Sequence, residues 1–361
     1  MRMSSRLGRV FLLAILVLVT GGAWAAPAQA TFPGPNGRIA FADFNTGQLY
    51  SINPDGTSPR QLTQFPSGGF AGQPDWSPDA RRIAFTGAVP NGEARLYVMD
   101  RDGSRQHLIF DEQPGFGDFS PAYTPDASRL VFQRCETDTC AIYSVRVDGT
   151  QLRALTRFQQ RRNVFDIQPT VSPDGATIAF ARFNAGGITS QVYVMGTDGS
   201  DPHPITTPTL EGFAPDWTPD GQHLLVTSNA ARLGAALYQV NPDGTGLQRL
   251  TRPPFPHNDI LPSSSPQGDQ IVFSSDRAHP DLCCQQLVTV NADGSGLRRL
   301  NTGLLGAIDA DWGSAPPDTT PATPPATSTA AVPPPAPDGC GRPNVHDPVA
   351  VSAAIPCGWL P

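Results

Sequence analysis

One segment recurs along most of this chain. PDWSPDARRIAF at Pro74–Phe85 returns as PAYTPDASRLVF at Pro121–Phe132, PTVSPDGATIAF at Pro169–Phe180, PDWTPDGQHLLV at Pro215–Val226 and PSSSPQGDQIVF at Pro262–Phe273. The copies start 46 to 48 residues apart. A fixed period of this size means one supersecondary unit repeated, because each unit leaves an apolar face that only its neighbour covers. A second marker keeps the period: Asp55-Gly56, Asp102-Gly103, Asp148-Gly149, Asp198-Gly199, Asp243-Gly244 and Asp293-Gly294. Each pair lies between two strand-like runs. Asp-Gly suits a two-residue hairpin turn in which both central residues take positive φ. The unit is therefore four short antiparallel strands, of the PDWS, RIAF, LYVM and RQLT types in order. Such a repeat is the signature of a β-propeller blade.

The two ends of the repeat complement each other. It opens at Gly34–Phe41 with a turn and a second strand but no first strand. It runs on to Asp309-Ala310-Asp311-Trp312, a first strand with no sheet of its own. The expected fold is all-β, a six-bladed propeller of four-stranded antiparallel blades over residues 31–313. Strand 310–312 would join the first blade and close the ring, leaving no open sheet edge at the seam. Pro35 to Ile39 is one residue shorter than Pro78 to Ile83, so the seam turn is expected to differ.

With repeats of the WSPDG-IAF type, LYVM strands and DG-x-x-x-x-LT endings, residues 34–313 resemble the TolB-type six-bladed propeller family. The resemblance implies the fold and says much less about function, because such blades serve unrelated tasks. TolB members carry an α/β domain ahead of the propeller and an N-terminal segment that contacts Tol partners. Here the first repeat follows the leader directly, so no partner-contact residue is carried over and a Tol–Pal role is not expected.

Residues 1–30 read as a secretory signal peptide. Arg2, Arg6 and Arg9 precede a ten-residue apolar run, Val10–Val19, and Ala28-Gln29-Ala30 is a small-x-small cleavage site. The run is short for a membrane span, which takes about 20 residues. No integral span is expected after cleavage, and the location expected is secreted or periplasmic. The formal charge is −7, there is no lysine, and removing the three leader arginines leaves −10. An acidic surface without a basic stripe argues against nucleic acid and anionic membranes as partners. Residues 314–338 are rich in Pro, Thr, Ala and Ser and read as a disordered linker. Residues 339–361 form a short cysteine-containing tail, too small for a core of its own.

Six cysteines in a secreted chain point to an oxidising compartment. Cys135 and Cys140 flank the connection between the second and third strands of one blade, so they are expected to pair. Cys340 and Cys357 are the candidate bridge of the tail. A vicinal Cys283–Cys284 bridge is possible but strained. No cysteine or histidine spacing suggests a metal site, and no cofactor is expected.

In a propeller, the connections into the first strand and between the second and third strands share one face. Here they are long and irregular, which is where binding is usually placed on a rigid scaffold. Asp118, Asp166 and Asp259 each lie three residues before their repeat proline, and Glu211 lies four before. With His257 they are the candidate ligand-binding residues, a rim for a cation or basic ligand. The structural alternative is that each carboxylate satisfies backbone N–H groups at a strand entry. His279 lies in a neighbouring loop. There is no Gly-x-Ser-x-Gly, His-Glu-x-x-His or phosphate loop. The expectation is a monomeric, non-catalytic scaffold for an extracytoplasmic protein or envelope component. The alternative is an enzyme acting on a glycan or peptide at the channel mouth, with or without a metal.

Overall fold

The apolar runs of each repeat become its two middle strands, and the short turns between them fix their register. A computed structural model describes residues 34–316, except 111–113, 137–138, 159–163, 185–188, 231–233 and 279–283. All regular structure among the described residues is β-strand. The first repeat supplies β1 (Asn36–Asp43), β2 (Gln48–Ile52) and β3 (Arg60–Gln61). The second supplies β4 (Phe70–Trp76), β5 (Arg82–Ala88), β6 (Arg95–Asp100) and β7 (His107–Leu108). The third supplies β8 (Gly117–Tyr123), β9 (Arg129–Glu136), β10 (Thr139–Arg146) and β11 (Arg153–Ala154). The fourth supplies β12 (Phe165–Val171), β13 (Thr177–Asn184), β14 (Thr189–Gly196) and β15 (His203–Pro204). The fifth supplies β16 (Gly212–Trp217), β17 (Leu224–Ser228), β18 (Ala236–Val240) and β19 (Gln248–Arg249). The sixth supplies β20 (Asp259–Ser264), β21 (Gln270–Ser275), β22 (Gln286–Asn291) and β23 (Arg298–Arg299). The chain ends its regular structure with β24 (Ala307–Ser314).

Each repeat pairs its strands antiparallel in sequence order. The third and fourth repeats are also joined by one parallel bridge, Cys140 to Phe165. β24 pairs antiparallel with β1, giving the sheet order β24-β1-β2-β3. The pairing is longer than the expected 310–312. It runs to Asn36 opposite Ser314, and Ala315 N–H donates to Pro35 O at 2.7 Å, past the expected boundary at 313. The register shifts between Asn36 and Ile39, where the sequence is one residue short.

The apolar side chains are buried between sheets, not within one. Ala84, Leu96 and Val98 of the second repeat pack with Tyr123, Leu130 and Phe132 of the third. Ile39, Phe41 and Trp312 pack with Val272 and Leu287 of the sixth. Burying one such side chain is worth about 1.5–3 kcal/mol, so each interface is a core in its own right. The recurrent tyrosines also pack within their own sheets: Phe41–Tyr50, Phe85–Tyr97, Phe132–Tyr143 and Phe180–Tyr193 are direct cross-strand pairs with ring centroids 5.3 to 6.1 Å apart.

The Asp-Gly turns differ from the expected form. Glycine alone takes positive φ in each pair, and the aspartate stays in ordinary space. In the first turn Gly56 N–H donates to Asn53 O and Asn53 N–H to Thr57 O, so the loop is longer than two residues. The aspartate side chain closes it: Asp55 Oδ1 accepts from Thr57 N–H at 2.9 Å, and in the same way Asp102 accepts from Ser104 N–H, Asp148 from Thr150 N–H and Asp198 from Ser200 N–H. This is the local side-chain-to-backbone use for which aspartate is suited. The structure joins Cys135 and Cys140 in a disulfide across β9 and β10. The leader, the tail with Cys340 and Cys357, Cys283 and His279 lie outside the described residues.

Candidate functional site

Asp118 and Asp166 lie on the first strands β8 and β12, directly opposite Arg134 on β9 and Arg182 on β13. Cross-strand register at this separation lets opposite charges meet. Asp118 takes a two-pronged grip from Arg134, at 2.7 Å from Nε and 2.9 Å from a terminal nitrogen. Arg182 holds Asp166 in the same way at 2.6 and 2.8 Å. Asp259 is held by Arg277, just beyond β21, and by Ser275 Oγ at 2.8 Å. All three carboxylates are buried. Their partners are guanidinium groups, where the structural reading of the sequence expected backbone N–H groups. Burial keeps the Asp118 carboxyl above its ordinary pKa, because Arg134 offsets only part of the lost hydration.

Glu211 and His257 are not held by arginines among the described residues. Glu211 takes a positive φ of 50° just before β16. His257 Nδ1 lies 3.4 Å from Asp276, whose carboxylate accepts from both Asn258 N–H and Asn258 Nδ2. Among the described residues no three carboxylate, imidazole or thiol groups converge at metal-binding spacing.

A different set of acids does converge. Asp75, Asp216 and Asp311 precede the recurrent aromatic of the first strands, in Pro74-Asp75-Trp76, Pro215-Asp216-Trp217 and Ala310-Asp311-Trp312. Each carboxylate reaches the next sheet. Asp311 accepts from Trp76 N–H at 2.7 Å, Asp75 from Tyr123 N–H at 2.8 Å and Asp216 from Ser264 N–H at 2.9 Å. Ser263 Oγ does the same for Trp312 N–H at 3.2 Å. These bonds latch one first strand to the next. Burial and then the Asp311 charge push Asp75 well above the usual carboxylate range, and the Asp216 charge adds to this. Asp75 and Asp216 belong to the second and fifth repeats, so the first strands bring their acids onto one shared space. Burial raises Asp216 to about 8 and Asp311 to about 6. Burial alone raises Asp309 to about 7.

A second latch lies three residues before the aromatic position. Gln73, Ser120, Gln168, Ala214, Leu261 and Asp309 all take φ between 47° and 56°. Residues with a Cβ rarely adopt this region, which costs of order 1 kcal/mol. Every first strand slips register there, so each carries a bulge. The freed N–H groups are caught by the preceding sheet. Ser120 N–H donates to Gln73 Oε1, Gln168 N–H to Gln133 Oε1, Ala214 N–H to Gln168 Oε1 and Leu261 N–H to Thr227 Oγ1. The inter-sheet contact thus holds the strained backbone in place. The sequence pattern draws attention to the tryptophans and away from the aspartates beside them, though those aspartates share the repeat.

The loop face also carries apolar side chains in the open. Phe44 and Val89 follow β1 and β5, and Phe255 and Leu305 precede β20 and β24. They are 46 to 69% exposed. Phe44 N–H donates to Gly306 O, which sets Phe44 beside Leu305.

These observations define a β-propeller built of four-stranded antiparallel sheets with inter-sheet latches on the first strands. The family model described as the TolB beta propeller domain matches residues 36–315, and the chain belongs to that family. It is similar to uncharacterized protein Atu1656 of Agrobacterium fabrum, with 27% identity over 239 residues, 63% of this chain and 74% of that protein. It is 30% identical over 140 residues to the Tol-Pal system protein TolB of Anaeromyxobacter dehalogenans, covering 38% of this chain but only 30% of that protein. Among solved structures, TolB from Acinetobacter baumannii superposes with a TM-score of 0.63 at 19% identity, over 79% of this chain and 68% of that one. Likeness at that identity concerns the fold.

Proposed function

We propose that this chain is an extracytoplasmic, non-catalytic propeller that holds a protein or cell-envelope ligand on its loop face. The observation that carries the proposal is the exposure of Phe44, Val89, Phe255 and Leu305 on that face. Phe44 and Leu305 are neighbours through the Phe44 N–H to Gly306 O bond, and a contiguous exposed apolar patch marks an interaction surface. Leu247 and Leu297 are also exposed, but they occupy equivalent turns after Gly246 and Gly296 and so belong to the repeat. Phe44 has an equivalent in Phe183, but that side chain is half-buried against Phe213. The similarity to a Tol-Pal system protein supports a partner in the envelope, and the leader-like residues 1–30 support export. The acidic charge speaks against nucleic acid.

The scaffold in this proposal is a closed ring of six blades acting as a monomer. Two observations support closure. β24 completes the sheet of β1. The first strands β4, β8, β12, β16, β20 and β24 each contact the next, and β24 contacts β4. Residues 314–338 are proposed to serve as a linker to the tail 339–361.

Replacing Phe44, Val89, Phe255 and Leu305 together by serine tests the binding face. The exposed positions leave the melting temperature unchanged, and recovery of the extracytoplasmic partner from envelope extract is lost. The Leu247→Ser/Leu297→Ser variant retains it. Equal loss in both variants, or in neither, sinks the proposal.

One observation favours a catalytic reading. Asp309 is partly buried, has no hydrogen-bond partner among the described residues and has its pKa raised by burial to about 7, which suits a general acid. Asp118, Asp166 and Asp259 are engaged by arginines and are poorly placed for that work. A glycan- or peptide-cleaving activity lost in Asp309→Asn with folding intact would favour this reading.

A further inference from the structure

The opposite face, where the short turns lie, holds a cavity of about 640 Å³ that spans the first three repeats. Its wall carries Arg38, Arg60, Arg81, Arg82, Arg101 and Arg105 against Asp79, Asp100 and Asp102, a formal excess of +3 in a chain of net −7. The cavity one sheet further on is of similar size, about 680 Å³, but has Arg129 and Arg153 against Asp126, Asp174 and Asp198. The neighbouring cavity therefore lacks the positive excess of this one.

The three carboxylates do not neutralise it. Asp79 accepts from Ser77 Oγ and Arg81 N–H and lies 4.0 Å from Arg81 Nε, and Asp102 accepts from Ser104 N–H and Oγ, each within its own turn. Asp100 is taken by Arg105. Arg60, Arg82 and Arg101 have no hydrogen bond or ion pair from their guanidinium groups among the described residues. Arg38 is fixed by Ser51 Oγ, Asn53 Oδ1 and the carbonyls of Ser51 and Ser58, all neutral acceptors. Burial, and then the charges of Arg60 and Arg101, lower the Arg38 pKa. Like charges held together without a counter-charge are unfavourable unless an anion joins them.

A second feature points the same way. Tyr123 lines this cavity and is 3% exposed, and its buried hydroxyl has no hydrogen-bond partner among the described residues. Buried hydroxyls in folded proteins are nearly always hydrogen-bonded, so one that the protein leaves unpaired is suited to a ligand oxygen.

We propose that this cavity binds a small phosphoryl compound carrying at least two negative charges, gripped by Arg60, Arg82 and Arg101 and by the Tyr123 hydroxyl, with Arg38 as a fixed cation behind them. Guanidinium groups match phosphate oxygens with parallel N–H donors. The volume is that of a small-molecule site and not of a flat protein interface. The phosphoryl group comes either from a soluble compound or from a lipid headgroup.

Titration calorimetry with sodium tripolyphosphate tests the site, with co-sedimentation on phosphatidylglycerol/phosphatidylcholine vesicles as the second arm. Tripolyphosphate binds one to one, and its affinity falls as salt rises. Arg60→Ala, Arg82→Ala and Arg101→Ala each weaken it about tenfold or more, as expected for a charge-assisted hydrogen bond. Tyr123→Phe removes a hydroxyl with no partner among the described residues, so the melting temperature holds while affinity drops about tenfold. Arg153→Ala in the neighbouring cavity changes nothing. Binding of tripolyphosphate without vesicles assigns a soluble source. Binding of vesicles, displaced by tripolyphosphate, assigns a headgroup. The proposal is overturned by absence of both, by affinities unchanged in the three arginine variants, or by citrate binding as tightly as tripolyphosphate.

Discussion

Arg134 shows how much one residue is asked to do. Its guanidinium holds Asp118 and lies 5.3 to 5.6 Å from the ring centres of Phe110, Phe116, Phe132 and Tyr143. Removing one member of a buried pair leaves the other charge uncompensated, at a cost of about 3–5 kcal/mol. Asp118→Ala is expected to lose that much in urea unfolding, and Asp118→Ala/Arg134→Met to recover most of it. A single-variant loss under about 1 kcal/mol would place Asp118 outside the folding core. Arg134→Lys is expected to behave as a damaging change, since a lysine offers neither the planar fork nor the stacking surface.

Among the elements, β24 is the one that arrives from farthest along the chain. Trp312 is fully buried and its Nε1–H donates to Gly37 O at 3.2 Å. Trp312→Ala is expected to destabilise the protein by about 3–5 kcal/mol and to expose β1 as a sheet edge, read as self-association on gel filtration. Gly313 fits only because it lacks a side chain: an added Cβ would lie 2.5 Å from the Trp76 ring. The seam pairing was legible in the sequence because a first strand and a missing first strand stood at opposite ends of one repeat. The ion pairs were half legible. Asp118–Arg134 and Asp166–Arg182 share a separation of 16 residues, which a fixed hairpin register imposes, but an acid alone does not name its partner. The bulges were not legible at all. Gln73, Ser120, Gln168, Ala214 and Leu261 have no residue type common to them all, and none is the glycine or asparagine that normally announces positive φ. At Ser120, Gln168, Ala214 and Leu261 the conformation is held by acceptors on the neighbouring sheet, which only the folded chain supplies.

For the whole molecule, the central acids set a pH dependence of unusual sign. Asp216, Asp309 and Asp311 titrate near 8, 7 and 6 when folded and near the ordinary value of 3.8 when unfolded. Between about pH 4 and 8 the folded chain therefore binds more protons, and stability falls as pH rises through that window. The turn acids act in the opposite direction. Hydrogen bonds from Ser172 and Ser104 hold Asp174 and Asp102 low, so their contribution is lost only as pH drops below about 4. Melting temperatures are expected to decline from about pH 5 to about pH 8, and Asp216→Asn to flatten the decline while keeping an acceptor for Ser264 N–H. A flat profile in the parent protein would mean that the shared central space is well hydrated.

The loop face remains the central claim, and site-specific photo-crosslinking in the native host tests it most directly. A photoreactive residue in place of Phe44, Val89, Phe255 or Leu305 is predicted to give one and the same extracytoplasmic adduct from each position, and none in place of Leu247 or Leu297. Adducts formed equally from Leu247 and Leu297, or none from any loop-face position, would contradict this assignment.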